Sequence, residues 1–435
     1  MRHTFKRLSL CLALGALTAP VLAYNIVERA TLVDDRFKAL ELTRPIGHDF
    51  YFNVSGYISP DTLDMQDTFD EIDKIDTGND AQNITEASNL LEKYYDKEQI
   101  VRANLGLGFP LPSFSAFNAK LKPNFRVDAG LFAMLTPEAD NISLSSLITN
   151  LDQIAPEVRN ELSDCLAQAV PGGAGPDATN GEDLISYCVT NGFITQAQAD
   201  FVKDTYGITS IPYNSAYATT SVAGAAVDIY AKGEIKAGLF NTWTHGDHFF
   251  GDFNVYALGR VDIKKRADAI LLLAGGGETE YAENGLVNLT TDFIFGYKNS
   301  NYSVKAGFEE LKISEMHNSD EGDLNYGDSA LFRFHGQADY RLSVFKLSPY
   351  AGFHTRSGYG VGDSYYLGAD WGMYAWEDRL GLNFKTQMDK EHVTLGFRAK
   401  IWFMHADFTG KFPITSEVDG IKVSTYYGGN IRFFF

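Results

Sequence analysis

The chain has 435 residues and a formal net charge of −19, and 13% of its residues are aromatic, with 31 Phe, 23 Tyr and 4 Trp. An acidic balance of this size argues against a nucleic-acid partner, which asks for a basic face. After the first two dozen residues there is no run of about 18 apolar residues, so no helix is expected to cross a membrane.

In chain order, Arg2, Lys6 and Arg7 precede the short apolar stretch LSLCLALGALTAPVLA, and Val21 and Ala23 are small residues at cleavage positions. This reads as a signal peptide over residues 1–23, cut after Ala23, which exports residues 24–435. Cys11 leaves with the signal. Cys165 and Cys188 then form an even pair in an oxidising compartment, and they are a disulfide candidate.

From residue 99 an alternation with a period of two keeps returning. In QIVRANLGLGF, Val101, Ala103, Leu105, Leu107 and Phe109 oppose Arg102, Asn104, Gly106 and Gly108. The same texture runs through FNAKLKPNFRVDAGLFA, LFRFHGQADY and VTLGFRAKIWF. The segments are about ten residues long, the length a tilted strand needs to cross a bilayer. Short breaks at PLPS (110–113), KNSN (298–301) and WEDR (376–379) read as turns.

Two acidic inserts interrupt the pattern. Residues 58–99 hold twelve acidic residues against three lysines, and residues 136–221 hold eleven against Arg159 and Lys203. The second insert is partly helical, with Leu144, Leu147, Leu151 and Ile154 at helical spacing, and its two cysteines would pin it. If residues 114–135 make one long strand, both inserts leave the sheet on the same side. A hairpin turn at Lys122-Pro123-Asn124 would break that parity.

The chain ends in VSTYYGGNIRFFF, a strand running to the last residue with Ile431, Phe433 and Phe435 on one face. This ending resembles the C-terminal signal of Gram-negative outer-membrane β-barrels, which the barrel-assembly machinery reads during insertion. The resemblance implies an all-β fold, a transmembrane antiparallel β-barrel in the cell outer membrane. About 14 strands fit, with 12 to 16 all compatible, together with a small helical insert. The N-terminal segment YNIVERATLVDDRFKALELTRPIGHD, read as facing the periplasm, is similar to the fatty-acid transporter family and its TraF-like relatives. GLGFPLPSFSAFNAKLK resembles the TraF-like branch.

In a membrane barrel the polar face lines the lumen, so Arg102, Lys120, Arg126, Asp128, Arg333, His335, Asp339, Arg398 and Lys400 are lumen-facing candidates. That lining fits a hydrated channel or a plug held by ion pairs. No catalytic site is expected. His354 and Ser357 stand at an odd spacing on opposite faces, and His335 and Asp339 lie about 13 Å apart along a strand. His245, Asp247, His248 and Asp252 have zinc-ligand chemistry without a defined scaffold. Asn318, Asp320, Glu321, Asp323 and Asp328 lack the EF-hand spacing. No metal and no cofactor are expected.

The reading is a porin-like barrel for passive passage of small solutes, with outer-membrane lipid as its surroundings and oligomerisation left open. The alternatives are a transporter of hydrophobic substrates of the fatty-acid or TraF-like type, and a structural barrel displaying an acidic partner-binding module.

Overall fold

A computed structural model of the chain describes residues 25–42, 50–72, 74–75, 80–143, 156–169, 175–176, 178–179, 181–206, 209–211, 213, 221–268, 282–319, 329–375 and 379–434. The expected signal peptide, the calcium-type loop from Asp320 to Asp328, and Phe435 lie outside these residues.

The chain opens with helix α1 (Ile26–Leu42). Its interior lacks Gly and Pro, and the Asn25 side chain accepts a hydrogen bond from Val27 N at 3.1 Å, as an N-cap does. Fourteen long strands follow: β1 (Tyr51–Ile58), β2 (Gln99–Pro110), β3 (Ala119–Ser143), β4 (Ser221–His245), β5 (Phe249–Asp268), β6 (Ala282–Lys298), β7 (Tyr302–Asn318), β8 (Leu331–Ala338), β9 (Phe345–Thr355), β10 (Tyr366–Ala375), β11 (Leu380–Asp389), β12 (His392–Ile401), β13 (Met404–Pro413) and β14 (Tyr426–Phe434). Each pairs antiparallel with its neighbour, and β1 pairs with β14 from Tyr51↔Phe434 to Ile58↔Tyr427. The sheet is a closed 14-strand barrel without edges.

Side chains alternate across the wall. Leu131 (52% exposed), Phe253 (48%), Phe293 (50%) and Leu395 (50%) point outward, where only hydrocarbon suits them. Inward positions carry mostly charged and polar groups, tyrosine and glycine, with Phe132 and Met134 packed in one cluster with α1. Two of the glycines give room to a ring: a Cβ on Gly108 would overlap the Tyr51 ring, and one on Gly428 would overlap that of Tyr57. Both rings therefore have space to lie flat on the inner wall.

The wall is uneven, and here the expectation of strands about ten residues long is corrected. β3 and β4 have 25 residues each, β5 has 20, and β6 and β7 have 17. A bilayer needs about 9–11, so these five strands continue as a sheet beyond it. The polar-apolar alternation persists into that extension, which hid its length. β3 runs unbroken through Lys122-Pro123-Asn124. The reversal after β2 is at Phe117 and Asn118, which have φ of 51° and 59°, rather than at PLPS itself.

With β3 continuous, both acidic inserts leave the barrel at the end opposite the C-terminus, called here the insert end. The turns at the other end are short, such as Gly246–His248, Asn299–Asn301 and Trp402–Phe403. In the first insert, helices α2 (Pro60–Ile72) and α3 (Asp80–Leu91) bury Met65, Ile72, Ala87 and Leu91 against Ala225 and Val227 at the top of β4. The second insert holds α4 (Pro156–Gln168), α5 (Leu184–Thr190) and α6 (Gln196–Tyr206) around a core of its own, which includes Leu162, Leu184, Val202 and Tyr213. A disulfide joins Cys165 to Cys188 within that core, with Cα atoms 5.9 Å apart.

β7 departs from regular pairing with β6 at three places. At the lowest, Asp292 of β6 opposes both Glu309 and Glu310, and Glu310 has φ of 59°. Such a bulge turns adjacent side chains to the same face.

Candidate functional site: a helix inside the lumen

Helix α1 lies within the barrel and is buried on nearly every side. The reading of this segment as facing the periplasm is corrected by this placement. Its physical basis is that each face of the helix meets a matching group on the wall.

One set of contacts is at the insert end. Arg29 donates to both carboxylate oxygens of Glu98, at 2.9 and 3.0 Å, and lies 2.7 Å from Glu391. Arg36 reaches the same Glu391 at 2.6 Å, and Tyr426 donates its hydroxyl to Glu98. Glu391, in the turn between β11 and β12, thus joins two arginines of the helix. Burial alone would raise its pKa, but Arg29 and Arg36 outweigh burial and hold it at about 2.

A second set is one turn further along. Asp34 accepts from Arg102 Nε at 2.8 Å and from Lys232 Nζ, and Lys38 is 3.3 Å away. Burial opposes the charge of a lone carboxylate, and three cations gathered on one acid offset that cost. Asp35 meets Arg356 at 2.9 Å and the Tyr359 hydroxyl at 2.7 Å. Between these pairs Phe37 packs on Tyr57, with ring centroids 4.5 Å apart, and meets Tyr426 edge-on at 5.5 Å.

The third set is deepest. Lys38 lies 3.6 Å from both Glu234 and Glu310. Glu310 also takes Lys236 at 2.7 Å and Arg356 at 3.1 Å, while its neighbour Glu309 accepts Arg333 Nε at 2.8 Å. Ala39 closes the contact against Tyr350 and Tyr366.

Several residues singled out in the sequence meet in this network. Arg102 binds the helix directly, and Arg333 backs the Glu309–Glu310 bulge. His335 is buried on the inner wall, its Nδ1 3.1 Å from the Tyr366 hydroxyl. Arg126 sits nearer the turn end, with its guanidinium over the rings of Tyr51 (5.4 Å) and Phe240 (5.1 Å). Asp128 accepts from Tyr51 at 3.1 Å. Arg398 pairs with Asp407 at 2.5 Å, and Lys400 is half-buried beside them on β12.

Two candidates sit apart from the lumen wall proper. Lys120 is exposed at the turn-end rim, and Asp339 lies just past β8, held by Ser348 at 2.6 Å and Gln337 at 2.8 Å. In the last strand Ile431 faces outward at 49% exposure and Phe433 is half-buried.

The pairs of catalytic and metal-ligating residue types noted in the sequence are dispersed. His354 is buried with Nδ1 2.9 Å from the Tyr359 hydroxyl, whereas Ser357 is exposed. His245 and His248 bond to backbone oxygens of Asn118 and Lys298, at 3.1 and 3.0 Å. Among the described residues no group of three or more His, Cys, Asp or Glu could hold a metal.

Sequence reading missed α1 as a lumen element, and it missed Glu98, Glu309, Glu310 and Glu391. Strict alternation cannot assign two adjacent residues to one face, which is why the bulge pair escaped it.

No protein-family model matches the chain, and neither does any curated protein. Several solved structures are similar in outline. One is the transport unit of the autotransporter AIDA-I from Escherichia coli, with TM-score 0.32 and 7% identity over 95% of this chain and 99% of that one. A Pseudomonas aeruginosa FadL homologue gives TM-score 0.30 and 8% identity over 78% and 68%. A mutant porin of Rh. blastica gives 0.27 and 8% over 89% and 99%. At such scores no residue correspondence follows. Closure of the sheet, its hydrocarbon-facing exterior and the contrast between short turns and long inserts make this chain a 14-stranded outer-membrane β-barrel.

Proposed function

We propose that the protein carries small solutes passively across the outer membrane and that helix α1 is its gate. The observation behind this reading is the buried ion-pair network that holds Ile26–Leu42 in the lumen. A helix anchored by packing alone would favour one position weakly. Anchoring by buried charges, each matched to a group on the wall, makes the seated position a discrete state that the helix would leave only by breaking its pairs together. Long loops of such barrels face outward and short turns face the periplasm, so the seated helix closes the outer half of the pathway.

The lining favours hydrophilic solutes over hydrophobic ones. Arg102, Lys232, Lys236, Arg260 and Arg333 are all on the inner wall, and an alkyl chain passing them would gain nothing from their company. Conductance in planar bilayers tests the proposal. The intact protein should be mostly closed, and a variant lacking residues 25–42 should form a steady channel. A deletion variant that folds and remains silent would remove the proposal.

A second reading rests on the α4–α6 module, which has its own core and disulfide and is tethered at the insert end. In that reading the barrel is a scaffold, and the module is what meets a partner.

A further inference from the structure

The inner wall divides into two electrostatic zones. Around α1 each cation lies against a carboxylate, as in Arg102–Asp34, Arg333–Glu309 and Lys411–Asp389. Nearer the turn end the balance changes. Lys400 of β12, His405 of β13 and Arg432 of β14 are register partners across three adjacent strands. Strands lie about 4.8 Å apart, so three nitrogen-bearing side chains share about 10 Å of inner wall. Arg398 sits two residues from Lys400 on the same face.

The cations outnumber the counter-charges. Asp407 pairs with Arg398 at 2.5 Å and also acts on His405. Asp128 of β3, which holds the Tyr51 hydroxyl, is the carboxylate that acts on Arg432. Among the described residues no carboxylate lies within 4 Å of Lys400, and His405 rests edge-on against the Phe434 ring at 4.9 Å. Arg432 is held in place by Asn53, whose Oδ1 accepts its Nε at 3.1 Å, and its guanidinium lies 5.8 Å from the centre of the same Phe434 ring. A fixed arginine, a lysine without a carboxylate partner and an aromatic floor are features of a receptor for small anions.

We propose that this patch is a binding station for small soluble polyanions bearing carboxylate or phosphate groups, on the turn-end side of the α1 gate. It names the solute class for the passage proposed above and rests on that reading for its role. The binding itself can be measured with the gate closed.

The experiment is isothermal titration of citrate into the intact purified protein in a non-ionic detergent. Saturable binding that weakens with added salt is expected. Lys400→Gln with Arg432→Gln should weaken it by about tenfold or more. Lys400→Gln alone replaces a half-buried side chain with no carboxylate partner, and it tests the patch if the double variant fails to show the heat-shifted gel mobility of a folded barrel. Lys120→Gln at the rim should leave affinity unchanged.

Absence of saturable heat in the intact protein overturns the proposal, as does equal affinity in a folded patch variant. Loss of citrate binding in nanodiscs of phosphatidylglycerol, relative to neutral lipid, would assign the patch to a headgroup and also overturn it. Failure of binding leaves the conductance test of the gate untouched, so the two proposals fall separately.

Discussion

Asp34 of the plug helix and Arg102 of the barrel wall meet at 2.8 Å, and both side chains are almost fully buried. The same carboxylate serves Lys232 and Lys38. One acid therefore draws together three cations from three elements, and withdrawal of the helix would leave Arg102 and Lys232 of the wall facing each other without it.

Asp34→Asn keeps the shape and removes the charge. Breaking a buried pair from one side costs about 3–5 kcal/mol, because the remaining charge is left uncompensated. The barrel itself should stay folded, since its closure rests on strand pairing. The cost therefore falls on the seated position of α1. Single-channel recording should show a large rise in open probability. Adding Lys232→Met removes one stranded cation and should bring part of the closure back. An unchanged open probability in Asp34→Asn would separate the ion pair from gating.

Acid should act on the same latch from the insert end. Glu391 has a pKa held down to about 2 while Arg29 and Arg36 contact it, against an ordinary value of 4.5. A depressed carboxylate stabilises the seated helix fully above the ordinary value and loses that contribution as pH falls toward the depressed one. Open probability should thus be flat above about pH 5 and rise between about pH 4.5 and 2. In Glu391→Gln the rise in this window should be reduced, with a higher open probability at neutral pH. A wild-type profile flat through this range would remove Glu391 from the latch.

The barrel was legible because its physics is local. Alternation with period two separates Arg102 and Arg333 from Leu105 and Phe334 without reference to any distant residue. The terminal strand reads the same way, with Ile431 outward and Arg432 inward. Helix α1 was not legible for the opposite reason. Arg29, Asp34, Asp35 and Arg36 interleave with Ile26, Val33 and Phe37, so the segment has no single apolar face and resembles a solvated one. Only the lumen, which supplies Glu98 and Arg102, Lys232, and Arg356 from three distant points in the chain, turns it into a buried helix. Glu310 needs a positive φ that no spacing rule announces.

Sidedness gives a separate prediction. Asn25 is exposed at the insert end, just before α1, and Asn301 is exposed in a turn at the other end. In whole cells Asn25→Cys should react with a membrane-impermeant maleimide, while Asn301→Cys should react only after the envelope is permeabilised. Cys165 and Cys188 are bonded to each other and give no background. The reverse labelling pattern would invert the orientation and place the gate on the periplasmic half.

The disulfide should stabilise the module and leave the barrel alone. Cys165 and Cys188 close a loop of 23 residues, for which loop-closure entropy gives about 3 kcal/mol. Both sulfurs lie inside the small core with Leu162, Leu184 and Val202. A core of this size has little surplus to lose. The double variant Cys165→Ser, Cys188→Ser should therefore become sensitive to protease between residues 156 and 213, and the heat-shifted gel mobility of the barrel should not change. The module's contacts are largely its own, while the barrel is held by continuous strand pairing. Loss of the gel shift in the variant would show that the two fold as one unit.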